Sequence, residues 1–414
     1  MITYRLAVGA YHFGIRIAAL LGHKKAKSWL QGRRLAPVEV QKINSRRKKG
    51  QPLVWMHAAS LGEFEQGKPV LELLRSRYPT HFFLLTFFSP SGYERCKNYE
   101  GADVVSYLPE DTPNRARDWV QSVRPSLAIF VKYEFWRYHL ISLSKAGIPI
   151  VLIAGAFRPS QPFFRWYGGT WRKVLQRFDH LAVQTTTNAE LLNSINLNPQ
   201  KVTVTGDPRA DRVLELASTP FTNPTLANFC AHSPTLFAGS VWPKDVQLLR
   251  ALLPHLPPDW RMVLAPHQLH ESQIASWTEE FGAIRYTKYH AASKTNQRVL
   301  ILDTIGLLSR AYRYGRIAYV GGGFGAGIHN TLEPMAYGLP VMFGPKYKKF
   351  PEAVQTLAAG GSFCVQSEQE LIERFQWLEK PPNEHLARKV ILRYTRHARG
   401  AAERTVSVLE RFLD

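Results

Sequence analysis

Past a basic segment that ends near Gly50, runs apolar at every position alternate with longer stretches of helical period. The runs at 53–58, 82–87, 127–131, 148–153, 180–184 and 202–206 predict strands. Residues 68–77, 115–123 and 135–146 between them predict helices. A strand apolar on both faces belongs in a parallel sheet covered by helices on both sides. The Pro- and Asn-bearing stretch STPFTNPTLAN (218–228) reads as a linker. The alternation then restarts at 235–239, 262–266, 299–303, 317–323 and 340–344, and a helical stretch closes the chain. The expected organisation is a basic N-terminal helix and linker (1–50), a Rossmann-like domain (51–217), the linker (218–228), a second Rossmann-like domain (229–383) and a C-terminal helix (384–414). The expected class is α/β, with two parallel sheets facing a central cleft.

The amino end has a different pattern. Residues 6–21 are apolar apart from His12 and Arg16. That is short for a spanning helix. At helical period Arg5, His12, Arg16 and His23 fall on one stripe, opposite Leu, Val, Ile and Phe. Lys24, Lys25, Lys27, Arg33 and Arg34 follow, a cluster suited to anionic headgroups. An interfacial helix is expected, with Phe13 and Trp29 reaching toward lipid.

Composition sharpens this picture. The 414 residues are 45% hydrophobic and 21% charged, as in a globular protein. The formal net charge of +21 predicts an anionic partner: nucleic acid, an acidic membrane or an anionic substrate. Residues 1–50 hold twelve Lys/Arg against one acid, Glu39. The three scattered cysteines predict neither a disulfide framework nor a zinc site, and fit a reducing compartment.

Two stretches carry candidate chemistry. In LVWMHAASLGEFEQ (53–66) a strand ends and Glu63 follows the break. Ligands of open α/β sheets bind beyond the carboxyl ends of strands, where a carboxylate can act as a general base. An equal alternative is that Glu63 only complements the dipole of the next helix. In YVGGGFGAGIHNTLEPMAYGLPVMFGPKYKKFPEA (319–353) a strand runs into clustered glycines, and a helix is expected from about Asn330. Such a turn can approach a phosphate, and Glu333 can accept from ribose hydroxyls. His267 and His270 stand at metal-ligand spacing but lack an evident third ligand.

The second stretch resembles the carboxyl-domain signature of the 3-deoxy-D-manno-octulosonic acid (Kdo) transferases of lipopolysaccharide synthesis. HAASLGE (57–63), TFFSPSGYE (86–94), KYEFW (132–136), VTGDPRAD (204–211), AGSVWPKD (238–245), APHQLHE (265–271) and LDTIG (302–306) resemble further motifs of that family, in the family's order. The resemblance implies a GT-B glycosyltransferase that moves Kdo from CMP-Kdo to a lipid A precursor (lipid IVA), inverting the anomeric carbon. It implies Glu63 as general base, and Glu134 and Arg209 as transition-state stabilisers. Pro266, His267, Thr304, Ile305, Gly306, Asn330, Thr331, Leu332 and Glu333 match its CMP contacts. No metal or other cofactor is expected, and no nucleic acid partner. The implied partners are CMP-Kdo, the anionic lipid acceptor and the cytoplasmic face of the inner membrane. The chain departs from the family at Arg209, where Lys is common, at His267-Gln268, where Arg-His is common, and in the glycine segment. Alternatives are a heptosyltransferase-like GT-B enzyme, a nucleic-acid-binding protein and a nicotinamide oxidoreductase.

Overall fold

The basic amino end folds as three helices, α1 (Ile2–Leu20), α2 (Lys24–Arg34) and α3 (Ala36–Arg46). The structure, a computed structural model, describes residues 2–34, 36–289 and 296–413. α1 is amphipathic, and Arg5 and Arg16 of its expected polar stripe stay exposed. His12, on the expected polar stripe, is buried and packs on Trp29. Tyr4, one turn from the helix start, donates to Asp111 Oδ2 at 2.5 Å. The outward face carries Leu6, Phe13, Ile17, Leu20 and Leu21, all exposed. Two further expectations change with this docking. Arg33 is 4% exposed, lying 3.4 Å from the Trp29 ring centroid and donating to the Phe88 carbonyl, so it is not a headgroup ligand on the surface. Trp29 is buried in the same cluster rather than reaching outward. The side chain of Arg34 lies outside the described set. Among the described residues no helix is long and apolar enough to cross a membrane.

The first group of apolar runs builds one sheet. Its strands are β1 (Leu53–Ala58), β2 (Phe82–Phe87), β3 (Val104–Tyr107), β4 (Leu127–Val131), β5 (Ile150–Gly155), β6 (His180–Val183) and β7 (Val202–Val204). They pair in the order β3-β2-β1-β4-β5-β6-β7, all parallel. β1, β2, β4 and β5 are buried at every position, as a sheet covered on both faces requires. The helix after β1, α4 (Leu61–Arg77), starts seven residues before the expected 68. Gly62, Gly67 and Pro69 mask its start in the sequence, yet each is accommodated. Gly67 lies where a Cβ would come within 2.9 Å of Met56 Sδ, so its small size lets α4 cross close over the sheet. Glu63 therefore sits in the first turn of α4 as well as just beyond β1. After β4 a short loop leads into α5 (Arg137–Lys145).

The second group builds a sheet from β8 (Thr235–Val241), β9 (Arg261–Pro266), β10 (Ile284–Arg285), β11 (Val299–Ile301), β12 (Ile317–Val320), β13 (Val341–Phe343) and β14 (Ser362–Cys364). Its order is β10-β11-β9-β8-β12-β13-β14, again parallel. In both sheets the winding reverses beside the first strand, between β1 and β4 and between β8 and β12. Such a reversal opens a crevice at the strands' carboxyl ends. β3, β10 and β14 were not legible as strands. They are edge strands of two to four residues, too short to show a period.

The chain divides into unit 1, residues 1–211 with 400–414, and unit 2, residues 212–399. The division falls inside α6 (Arg209–Ser218), and α7 (Pro224–Cys230) occupies part of the expected linker. The expected single terminal helix is two. They are numbered below after α8 (Pro243–Leu252) and α9 (Leu332–Ala336): α10 (Pro381–Ala398) and α11 (Ala401–Glu410) break at Gly400, whose φ is +82°. α11 packs in unit 1 against α4. Arg77 of α4 pairs with Glu403 and with Glu410, and Asp211 accepts the Ala402 N–H at 2.6 Å.

Candidate active site

The unit 1 site grows from the ends of β1 and β4. His57, in the last turn of β1's pleat, is fully buried. Its Nδ1 lies 2.9 Å from Thr86 Oγ1 on the paired strand β2, and its Nε2 lies 3.1 Å from Glu134 Oε2. Trp55 Nε1 donates to the same Thr86 hydroxyl oxygen at 2.8 Å. Nδ1 also lies 3.1 Å from the Thr86 carbonyl oxygen, an acceptor only, and Trp136 Nε1 donates to Nε2 at 3.0 Å, so His57 carries its proton on Nδ1. Trp136 Nε1 also donates to Glu134 Oε2, at 2.5 Å. The sequence left His57 balanced between a packed and a chemical role. It is packed, and its partner is one of the candidate catalytic acids.

Two carboxyls meet here. Glu134 is 5% exposed, and burial pushes it up to about 7, against the Trp136 hydrogen bond. Glu63 is partly buried, and its Oε2 has no hydrogen-bond partner. Burial first, and then the charge on nearby Glu134, push Glu63 up to about 7; His57, Lys132 and the Ala59 N–H act the other way. His57 is pushed down to about 3 by burial and then by His139, so it stays neutral as its hydrogen bonds require. A carboxyl that titrates near neutrality just beyond a strand's carboxyl end is suited to take a proton from a substrate hydroxyl. Lys132 holds a left-handed φ of 66° directly after β4, which turns the chain toward Glu134.

Arg209 opens α6. Its Nε and Nη2 donate to Asp207 Oδ2 at 2.9 and 2.6 Å, and Asp207 also accepts from Gln66 of α4. Burial opposes ionisation of Asp207, but Arg209 and Lys132 hold it below the usual carboxylate range. Arg209 is thus a cation fixed by a carboxylate on one edge. Its field and that of Glu63 both reach Tyr133, so the three candidate catalytic residues share one neighbourhood in unit 1.

Unit 2 holds the remaining candidates. Asp245 in α8 binds the loops after β8 and β12 together, accepting from Trp242 N and Gly322 N at 2.9 Å and from the Tyr319 hydroxyl at 2.8 Å. The glycines there answer first to packing. A Cβ on Gly321 would come within 2.4 Å of the Ser240 carbonyl oxygen, and one on Gly323 within 2.6 Å of the Gly344 Cα. Gly325 alone meets little. His267, next to Pro266 at the end of β9, stacks between Trp242 (4.6 Å between centroids) and His329 (4.2 Å). Trp242 Nε1 donates to His329 Nε2 at 2.8 Å. Burial and then His267 push His329 down to about 4, and burial lowers His267. This is a neutral aromatic shelf, where an arginine would have been a cation.

Thr304, Ile305 and Gly306 follow β11. Ile305 is 86% exposed and Gly306 has a φ of +84°. α9 begins at Leu332, two residues later than expected, and is five residues long. Asn330 Nδ2 donates to Glu333 Oε1 at 3.1 Å, and burial raises Glu333 against that bond. Thr304 Oγ1 and Thr331 Oγ1 are buried without partners. Two orphaned hydroxyls on neighbouring loops are what a bound polar ligand would satisfy. The sequence pointed to these loops but not to Trp242, His329 or Asp245. AGSVWPKD and GIHN contain them, yet only the fold stacks residues 87 apart. Among the described residues no cluster of three His, Cys, Asp or Glu could hold a metal ion, and His270 bonds Gln268.

Residues 32–212 match the family model described as 3-deoxy-D-manno-octulosonic-acid transferase (kdotransferase). A 3-deoxy-D-manno-octulosonic acid transferase of Chlamydia trachomatis is 29% identical over 303 residues, 71% of this chain and 70% of that protein. One of Aquifex aeolicus is 26% identical over 329 residues, 78% and 84% of the two chains. A solved glycosyltransferase from Rickettsia africae, 12% identical, covers 88% of this chain and all of its own with a TM-score of 0.58, a likeness of fold alone. The fold is GT-B, and the resemblance carried by the motifs is borne out.

Glu63 has a stability signature. It ionises near 7 when folded, above its ordinary 4.5. Its neutral form favours folding fully below 4.5, and that contribution is lost as pH rises through 7. Glu63→Gln should therefore match wild type in urea unfolding at pH 4.5 and exceed it by about 2 kcal/mol at pH 8.5. Equal stability at both pH values would refute the raised value.

Proposed function

We propose that this relative of the Kdo transferases is an inverting glycosyltransferase, moving Kdo from CMP-Kdo to a sugar hydroxyl of a lipid A precursor, lipid IVA, in lipopolysaccharide synthesis. The observation that carries the reading is the Glu63–Glu134 pair at the winding reversal of the unit 1 sheet. Glu63, with its free oxygen and raised basicity, takes the proton of the acceptor hydroxyl. The hydroxyl oxygen forms a bond to the anomeric carbon of Kdo as the bond from that carbon to the CMP phosphate oxygen breaks. The electron pair leaves with CMP, so no protein acid is needed, and attack opposite the leaving group inverts the centre. Glu134, when ionised, accepts from Trp136 and places negative charge near the developing oxocarbenium-like carbon. Arg209, oriented by Asp207, offers positive charge to the Kdo carboxylate or the departing phosphate.

In unit 2 the neutral shelf of Trp242, His267 and His329 suits a planar base, and Thr304, Thr331 and Glu333 suit the ribose and phosphate. The outward apolar stripe of α1, beside Lys24, Lys25 and Lys27, supports attachment to the anionic cytoplasmic face of the inner membrane. No metal is required by this route.

Incubation with CMP-Kdo and a tetra-acylated lipid A precursor should give the mass of a Kdo adduct. Glu63→Gln should cut turnover by about a thousandfold or more, with CMP affinity within about twofold of wild type. In the wild type kcat/KM should rise with pH through about 7, because the base must be ionised. Undiminished turnover in the variant removes Glu63 as the base. For the membrane reading, the double substitution Leu6→Asp and Phe13→Asp should release the protein from phosphatidylglycerol vesicles in flotation. Unchanged flotation refutes the stripe as the attachment.

A further inference from the structure

A cavity of about 700 Å³ lies between α1 and the body of unit 1. Tyr4, Val8 and Tyr11 of α1 line one side; Trp136, Arg137 and Trp171 line the other. The polar atoms of this wall are mostly spoken for. The Tyr4 hydroxyl is bonded to Asp111 and the Trp136 N–H to Glu134, so what faces the cavity is chiefly carbon. Asp111 in turn accepts the backbone N–H groups of Tyr138 and His139, which fixes α1 against the start of α5 and keeps the cavity open at a set width.

Arg137 is the exception. It is 9% exposed, and its Nε is buried with no hydrogen-bond partner. A guanidinium N–H withdrawn from water without an acceptor is costly, and an anion beside it removes that cost. An aromatic cavity with one orphaned guanidinium N–H in its wall fits a molecule with an apolar chain and an anionic head.

The mouth supports an occupant that arrives from a membrane. Tyr167 lines the cavity, and Trp166 beside it is 92% exposed. Arg172 donates to the carbonyls of Phe163 and Arg165, just before Trp166, at 2.9 and 2.7 Å. A tryptophan left in water is the side chain favoured at a bilayer interface. α1, which forms the other lip, turns its own apolar stripe outward.

We propose that this cavity binds an acyl chain bearing a phosphate, with the chain between α1 and Trp171 and the phosphate on Arg137. As a seat for part of the acceptor it rests on the acceptor reading above. Trp136 then joins two tasks, one face of the ring against the chain and its N–H on Glu134, so a seated acceptor lies directly beside the catalytic carboxyls.

The test uses the full chain and dodecyl phosphate below its micellar concentration, followed by calorimetry. Wild type should bind it saturably at one site, more tightly than inorganic phosphate or dodecyl glucoside. Arg137→Met should weaken that binding by about tenfold or more. Val8→Trp, which fills the cavity from the α1 side, should abolish it while CMP affinity stays at the wild-type value. Dodecyl phosphate should also compete with the lipid acceptor. Absence of saturable binding in wild type, binding no tighter than that of inorganic phosphate, or unchanged binding in Val8→Trp would overturn the proposal. The two readings fail separately. Dodecyl phosphate bound as described by a protein that transfers no Kdo would refute the acceptor assignment alone, and Kdo transfer without such binding would refute the cavity alone.

Discussion

Two carboxyl groups buried side by side set the terms for unit 1. Glu63 and Glu134 both titrate near 7 instead of 4.5, chiefly because the sheet and its helices withdraw them from water. The charge on Glu134 further destabilises that on Glu63, and the fold accepts this because the surrounding elements are fixed by other means. β1 and β4 are fully buried neighbours in the sheet, and α4 is held close by Gly67 beneath and α11 behind. The network from Trp55 through Thr86 and His57 reaches Glu134, which accepts from Trp136, while Glu63 Oε2 has no partner.

Unit 2 repeats the topology with different chemistry. Among the described residues its crevice has no counterpart of the carboxyl pair. The loops after β8, β9 and β12 are drawn together by Asp245 and by glycines whose Cβ positions are occupied by backbone. What results is a stacked, neutral surface flanked by two orphaned threonine hydroxyls. One unit carries a carboxyl pair, the other a stacked aromatic surface.

Much of this was legible in the sequence, for physical reasons. Apolar runs such as 53–58 and 82–87 must lie between two layers of helices, so the sheets could be read directly. Glu63 could be placed because a carboxylate just after a buried strand has few places to go. The edge strands β3, β10 and β14 were not legible, since two to four residues carry no period. The burial of His12, Trp29 and Arg33 was not legible. A helix with one polar stripe can turn either face to the protein, and only the aromatic cluster of Tyr11, Trp29 and Phe88 around His12 and Arg33 decides it. Trp242 and His329 were not singled out, and the role of His57 was not decided, because their partners are 87 and 77 residues distant in the chain. Arg137 gave no signal at all. A lone arginine after a tryptophan is ordinary until its burial is known.

The account stands on the coupling between the two acids. It is tested most directly by a carbon-detected NMR titration of the Glu63 side-chain carboxyl, in the wild type and in Glu134→Gln. The account predicts a midpoint near 7 in the wild type and a lower one in the variant, where the neighbouring charge is gone. A wild-type midpoint near the ordinary 4.5, or one that does not move when Glu134 is neutralised, would contradict it.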